Sequence, residues 1–530
     1  MLRKGHMMSE NNTTNFSTLQ RWGGRFAHWF FRVPITPAWF KSRRFWKRFG
    51  VAALILAALA WWNLFRERKL VVSPATTVIT APLDERGYVD YVEWLRQQCS
   101  RQMKTDENIA RILVRELRPH MEQLLRPDWT EKNVHEAARI KEAVYRELGL
   151  DPAVPETTRL SDFYADYEEK LHRKYPQWET PDSTDAAEFK RLQTLFMCGS
   201  KREMVLQDEA FTRDWLDRNR EALDIVVAAS KKPYFHYPFS ITPGEKWPYS
   251  WSIRLPCVQE SRQYGRTLAF RGNWRSIQGE SVGALEDKTA CRRLGNKLGE
   301  NADCLVDGLV GVAIVGNSHQ IPIAANPEIE PSREVWQTLA DELAASEIRS
   351  NVEQTIQRDR LGGLDMITHI AAISRWSPRE RLASVQGISG ESENLSPWWW
   401  SFPFWFGYDW NTVAMEYNRL HDLAMRNSDA FEAEIDKTRG DSETTFDKIK
   451  MAGRTAWAAR SLQSRSLYMG RVLAGLCVPA VDAAREASRR LACQEQIQRI
   501  TVAMRLYACD HAGCLPPAFT VDKNGKPLHS

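Results

Sequence analysis

Residues 49–65 read FGVAALILAALAWWNLF, an apolar run whose one strongly polar interruption is Asn63. As a helix rising about 1.5 Å per residue it is about 25 Å long, slightly short of a ~30 Å hydrocarbon core. Trp61 and Trp62 stand where an aromatic belt meets the headgroups, and the stems of Arg66, Arg68 and Lys69 can snorkel to lengthen the reach. The run therefore predicts a single transmembrane helix over Phe49–Phe65. A signal peptide ending at Ala58-Leu59-Ala60 and a buried soluble helix are the alternatives. The first is disfavoured because 48 mixed polar and aromatic residues precede the run, far more than an ordinary n-region.

Charge sets the predicted orientation. Residues 1–49 hold ten Lys and Arg against one acid, Glu10, a formal +9 in a chain whose total is +5. Positive flanks stay cytoplasmic, so residues from about 70 onward are expected outside, as in a single-pass inner-membrane protein. Trp22, Phe26, Trp29, Phe30 and Trp39 are among the rings interleaved with these charges. Such a mixture suits a topogenic arm in contact with anionic lipid, and nucleic acid is not an expected partner.

Beyond the run, the composition is that of a globular protein, with 43% hydrophobic and 26% charged residues, enough to bury a core. Nine cysteines in a long chain with no C-x-x-C do not form a disulfide scaffold, a zinc ribbon or a thioredoxin-like site. Cys509 and Cys514 are near enough in sequence to consider as a pair.

Leu70–Pro82 is polar and β-branched and reads as an extended linker. Helical periods then dominate: Val92, Leu95, Cys99 and Met103 share one face, and Ile109, Ile112, Leu113 and Leu117 another, up to Pro119. Helices are predicted over Glu131–Leu148, Thr158–Lys174, Thr184–Cys198, Phe211–Ser230 and Asn411–Arg426. Residues 259–316 read as stacked helix pairs, loosely tetratricopeptide-like, with small Gly272 and Ala284 allowing close approach. Cys304–Gly316 is apolar but short and contains Asp307, which predicts a core helix. Ser396–Trp410, SPWWWSFPFWFGYDW, reads as a loop capping the core, with a sugar-stacking platform or a membrane wedge as alternatives.

The C-terminal pattern is a long helix broken near Pro479, with Ile497, Ile500, Met504 and Tyr507 as its apolar stripe and Arg489, Arg490, Arg499 and Arg505 in water. Residues 478–530 carry VPAVDAAREASRRLAC, then Tyr507, Pro516-Pro517-Ala518 and GKPLHS. This segment resembles a pseudopilin-like planctomycete family of unknown function. It departs from that family in having no Gly-Phe-Thr-Leu-x-Glu processing motif and no full-length span before Pro479, so pilus assembly is not expected. Residues 76–316, through TTVITAPLDERGYVDYVEWL, EALDIVVAASKKPYF and DGLVGVAIVG, resemble uncharacterised planctomycete membrane-anchored helical proteins. That resemblance implies an anchor and a helical extracytoplasmic body, and no catalytic residues.

Tests for chemistry come out negative. His135-Glu136-Ala137-Ala138-Arg139 lacks the second histidine of H-E-x-x-H. Gly279-Glu280-Ser281-Val282-Gly283 has the letters of a nucleophile elbow, but NWRSIQ before it is too polar for the required strand, so Ser281 reads as a turn or helix-start residue. Asp162, Asp166 and Glu169 read as a solvated helix face, and His421 as structural or exposed. No catalytic, cofactor-binding or metal-binding residue is assigned. The expected organisation is a mainly α protein: a cytoplasmic arm (1–48), a transmembrane helix (49–65), a linker (66–82), a helical-hairpin extracytoplasmic body (83–477) and a pseudopilin-like C-terminal segment (478–530). Its expected role is protein binding or scaffolding, with an envelope glycan hydrolase or a pseudopilin-like assembly subunit as alternatives.

Overall fold

The computed structural model describes residues 43–117, 131–152, 160, 163–177, 180, 183–198, 206, 208–238, 256–302, 304–326, 328–345, 348–374, 377–381, 406–439, 461–477 and 479–514. Among them the structure is helical, with isolated β-bridges and no strand, as a mainly α reading requires. The chain divides into two units, Met1–Arg66 and Glu67–Ser530.

The first unit contains helix α1, Arg43–Phe65, which begins six residues before the apolar run. Leu54, Ile55 and Leu56 are exposed at 71, 48 and 64%. Consecutive residues lie about 100° apart around a helix, so these three point in different directions and α1 is apolar on several sides. Among the described residues no helix is long and apolar enough to cross a membrane. The predicted span is thus present as a helix, but a seventeen-residue run interrupted by Asn63 stops short of the ~20 apolar residues a crossing usually takes.

The second unit runs through α2 (Tyr91–Met103), α3 (Ile109–Leu117), α4 (Glu131–Glu147), α5 (Phe163–Lys174), α6 (Thr184–Cys198), α7 (Glu209–Arg218) and α8 (Arg220–Ser230). It continues with α9 (Pro256–Ile277), α10 (Ser281–Glu300), α11 (Leu305–His319), α12 (Arg333–Ala344) and α13 (Ile348–Ala372). Helices α14 (Trp410–Arg426), α15 (Ser428–Arg439), α16 (Leu462–Cys477) and α17 (Pro479–Asp510) complete it. Aspartates start several of them: Asp90 accepts from the Glu93 amide and Asp208 from the Phe211 amide, each satisfying a first-turn donor. The helix predicted over Phe211–Ser230 is two helices. Asn219 breaks it, its side chain donating to the Trp215 carbonyl at 2.9 Å.

The main core joins Leu95 of α2, Leu113 of α3, Trp215 of α7, Leu223 of α8, Phe270 of α9 and Leu294 of α10. Helices α9, α10 and α11 run up, down and up. Arg271 meets Asp287 while Cys291 meets Gly265, so α9 and α10 are antiparallel. Lys288 meets Ser318 while Cys291 meets Ile314, so α10 and α11 are antiparallel too. The small residues act as predicted: Ala284 is buried with Ala269 and Ile321, and a β-carbon on Gly272 would come 2.8 Å from Ile321.

The stretch read as a linker is held from Glu67 onward. Arg68 donates its amide to the Tyr408 carbonyl and accepts from the Trp410 amide, and Asn418 donates to the Ala75 and Thr76 carbonyls. Phe406, Tyr408 and Trp410, the described rings of the aromatic segment, are buried core residues. The Trp398–Trp400 run lies outside the described residues, as do the arm over 1–42 and the segment 515–530.

Candidate functional site

Two features of the second unit stand out chemically: a buried charged belt in α9–α11 and the outward face of α17.

The belt starts from Asp287, fully buried on α10. Arg271 donates to both its oxygens, at 2.7–3.2 Å, and Arg275 adds a bond at 3.1 Å. Arg271 also reaches Asp224 at 2.7 Å, which makes an alternating chain of two carboxylates and two guanidiniums. Burial pushes the Asp287 carboxyl up, while the two guanidiniums pull it back. At the next position, the Lys288 ammonium donates to the Ser318 and Ile321 carbonyls at 2.8 and 2.9 Å. It satisfies acceptors at the C-terminal end of α11, the negative pole of that helix. Burial pulls Lys288 down to about 7, yet a neutral amine still has two hydrogens for the two carbonyls. Arg292 closes the belt with an ion pair to Glu495 of α17.

This belt ties helices together through the ion pairs of Asp287, the bonds of Lys288 to backbone carbonyls and the Arg292–Glu495 pair. The recess beside it, lined by Gly295, Gly299, Gly308, Gly311, Val352 and Thr355, is about the size of one water molecule. Such a space admits no organic substrate.

The sequence-flagged residues disperse. Ser281 opens α10, as read. His421 is buried on α14, where desolvation pulls it down to about 4, so its exposed reading is overturned. Asp166 accepts from Trp215 Nε1 at 3.0 Å instead of sitting in solvent alone, Glu169 pairs with Arg173, and Asp162 is outside the described residues. Cys509 and Cys514 are free, exposed thiols. Groups of three or more His, Cys, Asp or Glu side chains placed to hold a metal ion are absent among the described residues.

Helix α17 reverses the sequence expectation. Its buried positions are Val481, Ala484, Ser488, Leu491, Glu495, Val502 and Ala508. Leu491 packs on Val315 of α11, and Val502 on Leu339 and Leu343 of α12. Arg499, expected in water, donates to the Leu343 carbonyl at 2.7 Å. Ile497, Ile500 and Met504, expected in the core, are exposed at 58, 60 and 37%. The spacing of Cys493, Ile497, Ile500, Met504, Tyr507 and His511 alternates four and three residues, the period of a coiled-coil seam. The seam ends on stacked Tyr507 and His511 rings, 3.7 Å between centroids and 6° apart in plane. Gln494, Gln496, Thr501 and Ala503 flank it, exposed and uncharged. The signal for this second seam was legible in the sequence as a heptad spacing independent of the buried one.

Comparison with family models, curated proteins and solved structures returns no match to this chain.

Proposed function

We propose that this chain is a membrane-held helical scaffold that binds protein through the outward face of α17. The observation that carries the reading is the exposed row Ile497, Ile500 and Met504 on a helix whose opposite face is buried. Large apolar side chains at helical spacing gain free energy when a partner helix covers them. The membrane part rests on α1, whose apolar side chains are exposed in several directions, and on the positive charge concentrated in residues 1–49. That pattern favours lipid around α1, lipid contact by the basic arm, a cytoplasmic amino terminus and a body across the inner membrane. The resemblance read from the sequence of 76–316 and 478–530 would imply an anchored helical body as well, and implies no activity. For a sugar platform, the rings of Phe406, Tyr408 and Trp410 are in the wrong place, since they are spent in the core.

The test is affinity capture of the full chain from detergent-solubilised membranes, wild type beside Ile500→Glu. Capture of a protein by the wild type, with at least about a tenfold loss in the variant, supports the reading. Identical capture by both removes α17 as the binding face. Extraction of the whole chain by alkaline carbonate, which leaves integral proteins behind, would remove the membrane part.

A further inference from the structure

The outward seam of α17 has a pattern that points to its partner. From its N-terminal side it reads Glu486, Arg490, Cys493, Ile497, Ile500, Met504, Tyr507, His511. The centre is apolar, one end carries an exposed Glu486–Arg490 ion pair at 2.9 Å, and the other carries the stacked Tyr507–His511 pair.

From this we infer that the occupant of the seam is a second copy of the same chain, with the two α17 helices packed antiparallel about a two-fold axis between Ile497 and Ile500. The inference rests on the reading of α17 as a protein-binding face and names its partner. In antiparallel seams, alternating core positions of one helix face the complementary positions of the other. Ile497 then meets Ile500 of the second copy, Cys493 meets Met504, and Arg490 meets Tyr507. The last contact sets a guanidinium against an aromatic ring, an attractive arrangement. Glu486 falls opposite His511. Each polar end of the seam thus meets an end of different chemistry.

The parallel alternative fails on the same residues. It sets Arg490 against Arg490 and Glu486 against Glu486, and it aligns the two helix dipoles side by side. A repulsive flank is missing in the antiparallel case, because Gln494, Gln496, Thr501 and Ala503 carry no charge. A two-fold contact needs a self-complementary surface, and this seam is self-complementary in one direction only. It is also short, so the dimer dissociates on dilution.

The experiment uses the full chain in mild detergent. In Met504→Cys the new thiol faces native Cys493 of the second copy, so mild oxidation gives a reducible dimer that Cys493→Ser abolishes in the Met504→Cys background. Wild type, whose two Cys493 residues lie far apart in this arrangement, stays uncross-linked under the same conditions. Ile500→Glu lowers the dimer fraction in sedimentation at least about tenfold. A monomer at every concentration tested overturns the inference, and so does wild-type dimer linked through Cys493 to itself. If the monomeric chain captures a different protein that Ile500→Glu releases, the second copy is ruled out and the binding face stands. If Ile500→Glu alters neither association nor capture, both fall.

Discussion

Gly295 of α10 and Gly311 of α11 meet so closely that a β-carbon on Gly295 would lie 2.6 Å from the Gly311 carbonyl oxygen. The obstacle is backbone, which cannot swing aside as a side chain does. Gly295→Ala is therefore expected to force α10 and α11 apart and to cost about 1–3 kcal/mol, as overpacking generally does. Thermal denaturation of the purified chain would register this as a lower midpoint, and an unchanged midpoint would mean the crossing yields easily.

Removing Asp287 leaves Arg271 and Arg275 facing one another in the interior. Asp287→Ala is expected to cost about 2–3 kcal/mol, less than the full penalty for orphaning a buried charge, because Arg271 keeps Asp224 and Arg275 keeps the Gly283 carbonyl. The double variant Arg271→Met, Asp287→Leu should recover part of that loss. Urea titration of both variants checks it, and equal losses in the two would show that packing volume, not charge, is at stake.

Acid should unfold the body early. Burial pulls His236, His319, His369 and His421 each down to about 4 from the ordinary 6.5. Stability from these rings is full above pH 6.5 and is lost as the pH falls through 4, because the unfolded chain takes up protons first. Asp359 opposes them: burial pushes it up to about 6 from 3.8, so its contribution is full below pH 3.8 and is lost as the pH rises through 6. Burial pushes Glu147 and Asp287 up as well, in the same sense as Asp359, but the four rings outweigh the three carboxyls. Melting midpoints should drop between pH 7 and 4, with a shallower slope in His421→Phe, and a flat profile would contradict this.

Trp410 is fully buried and donates its indole N–H to Glu67 Oε1 at 2.7 Å, while Arg381 pairs with the same carboxylate at 2.8 Å. Trp410→Phe keeps one aromatic ring but removes the donor and the rest of the buried indole, at an expected cost of about 2–4 kcal/mol. Faster proteolysis between residues 67 and 82 would accompany it. Unaltered cleavage there would show that the backbone bonds of Arg68 suffice to hold that stretch.

Much of the helical layout was legible because it depends on neighbours in sequence. Thr184–Cys198 matches its predicted bounds, and the predicted Asn411–Arg426 helix extends by one residue, to Trp410. The break at Asn219 was missed, since asparagine within a helical period is often tolerated and its cap on Trp215 shows only in three dimensions. The linker reading of 66–82 missed the hold on that stretch for a related reason. Its polar groups are satisfied by Tyr408, Trp410, Asn411 and Asn418, more than three hundred residues away.

Helix α17 divides the two kinds of information most sharply. By itself the sequence determined a long helix after Pro479 and gave it two heptad seams, since periodicity is a local property of side-chain spacing. Which seam turns inward was decided only by the tertiary structure. Ile497, Ile500 and Met504 form the more apolar row, yet the body buries the row with Ala484, Ser488 and Glu495. Small residues there allow close packing, and Glu495 finds its counter-charge in Arg292 of α10. Local hydrophobicity measures the free-energy gain of burial, but the fold buries whichever face meets complementary shape and charge.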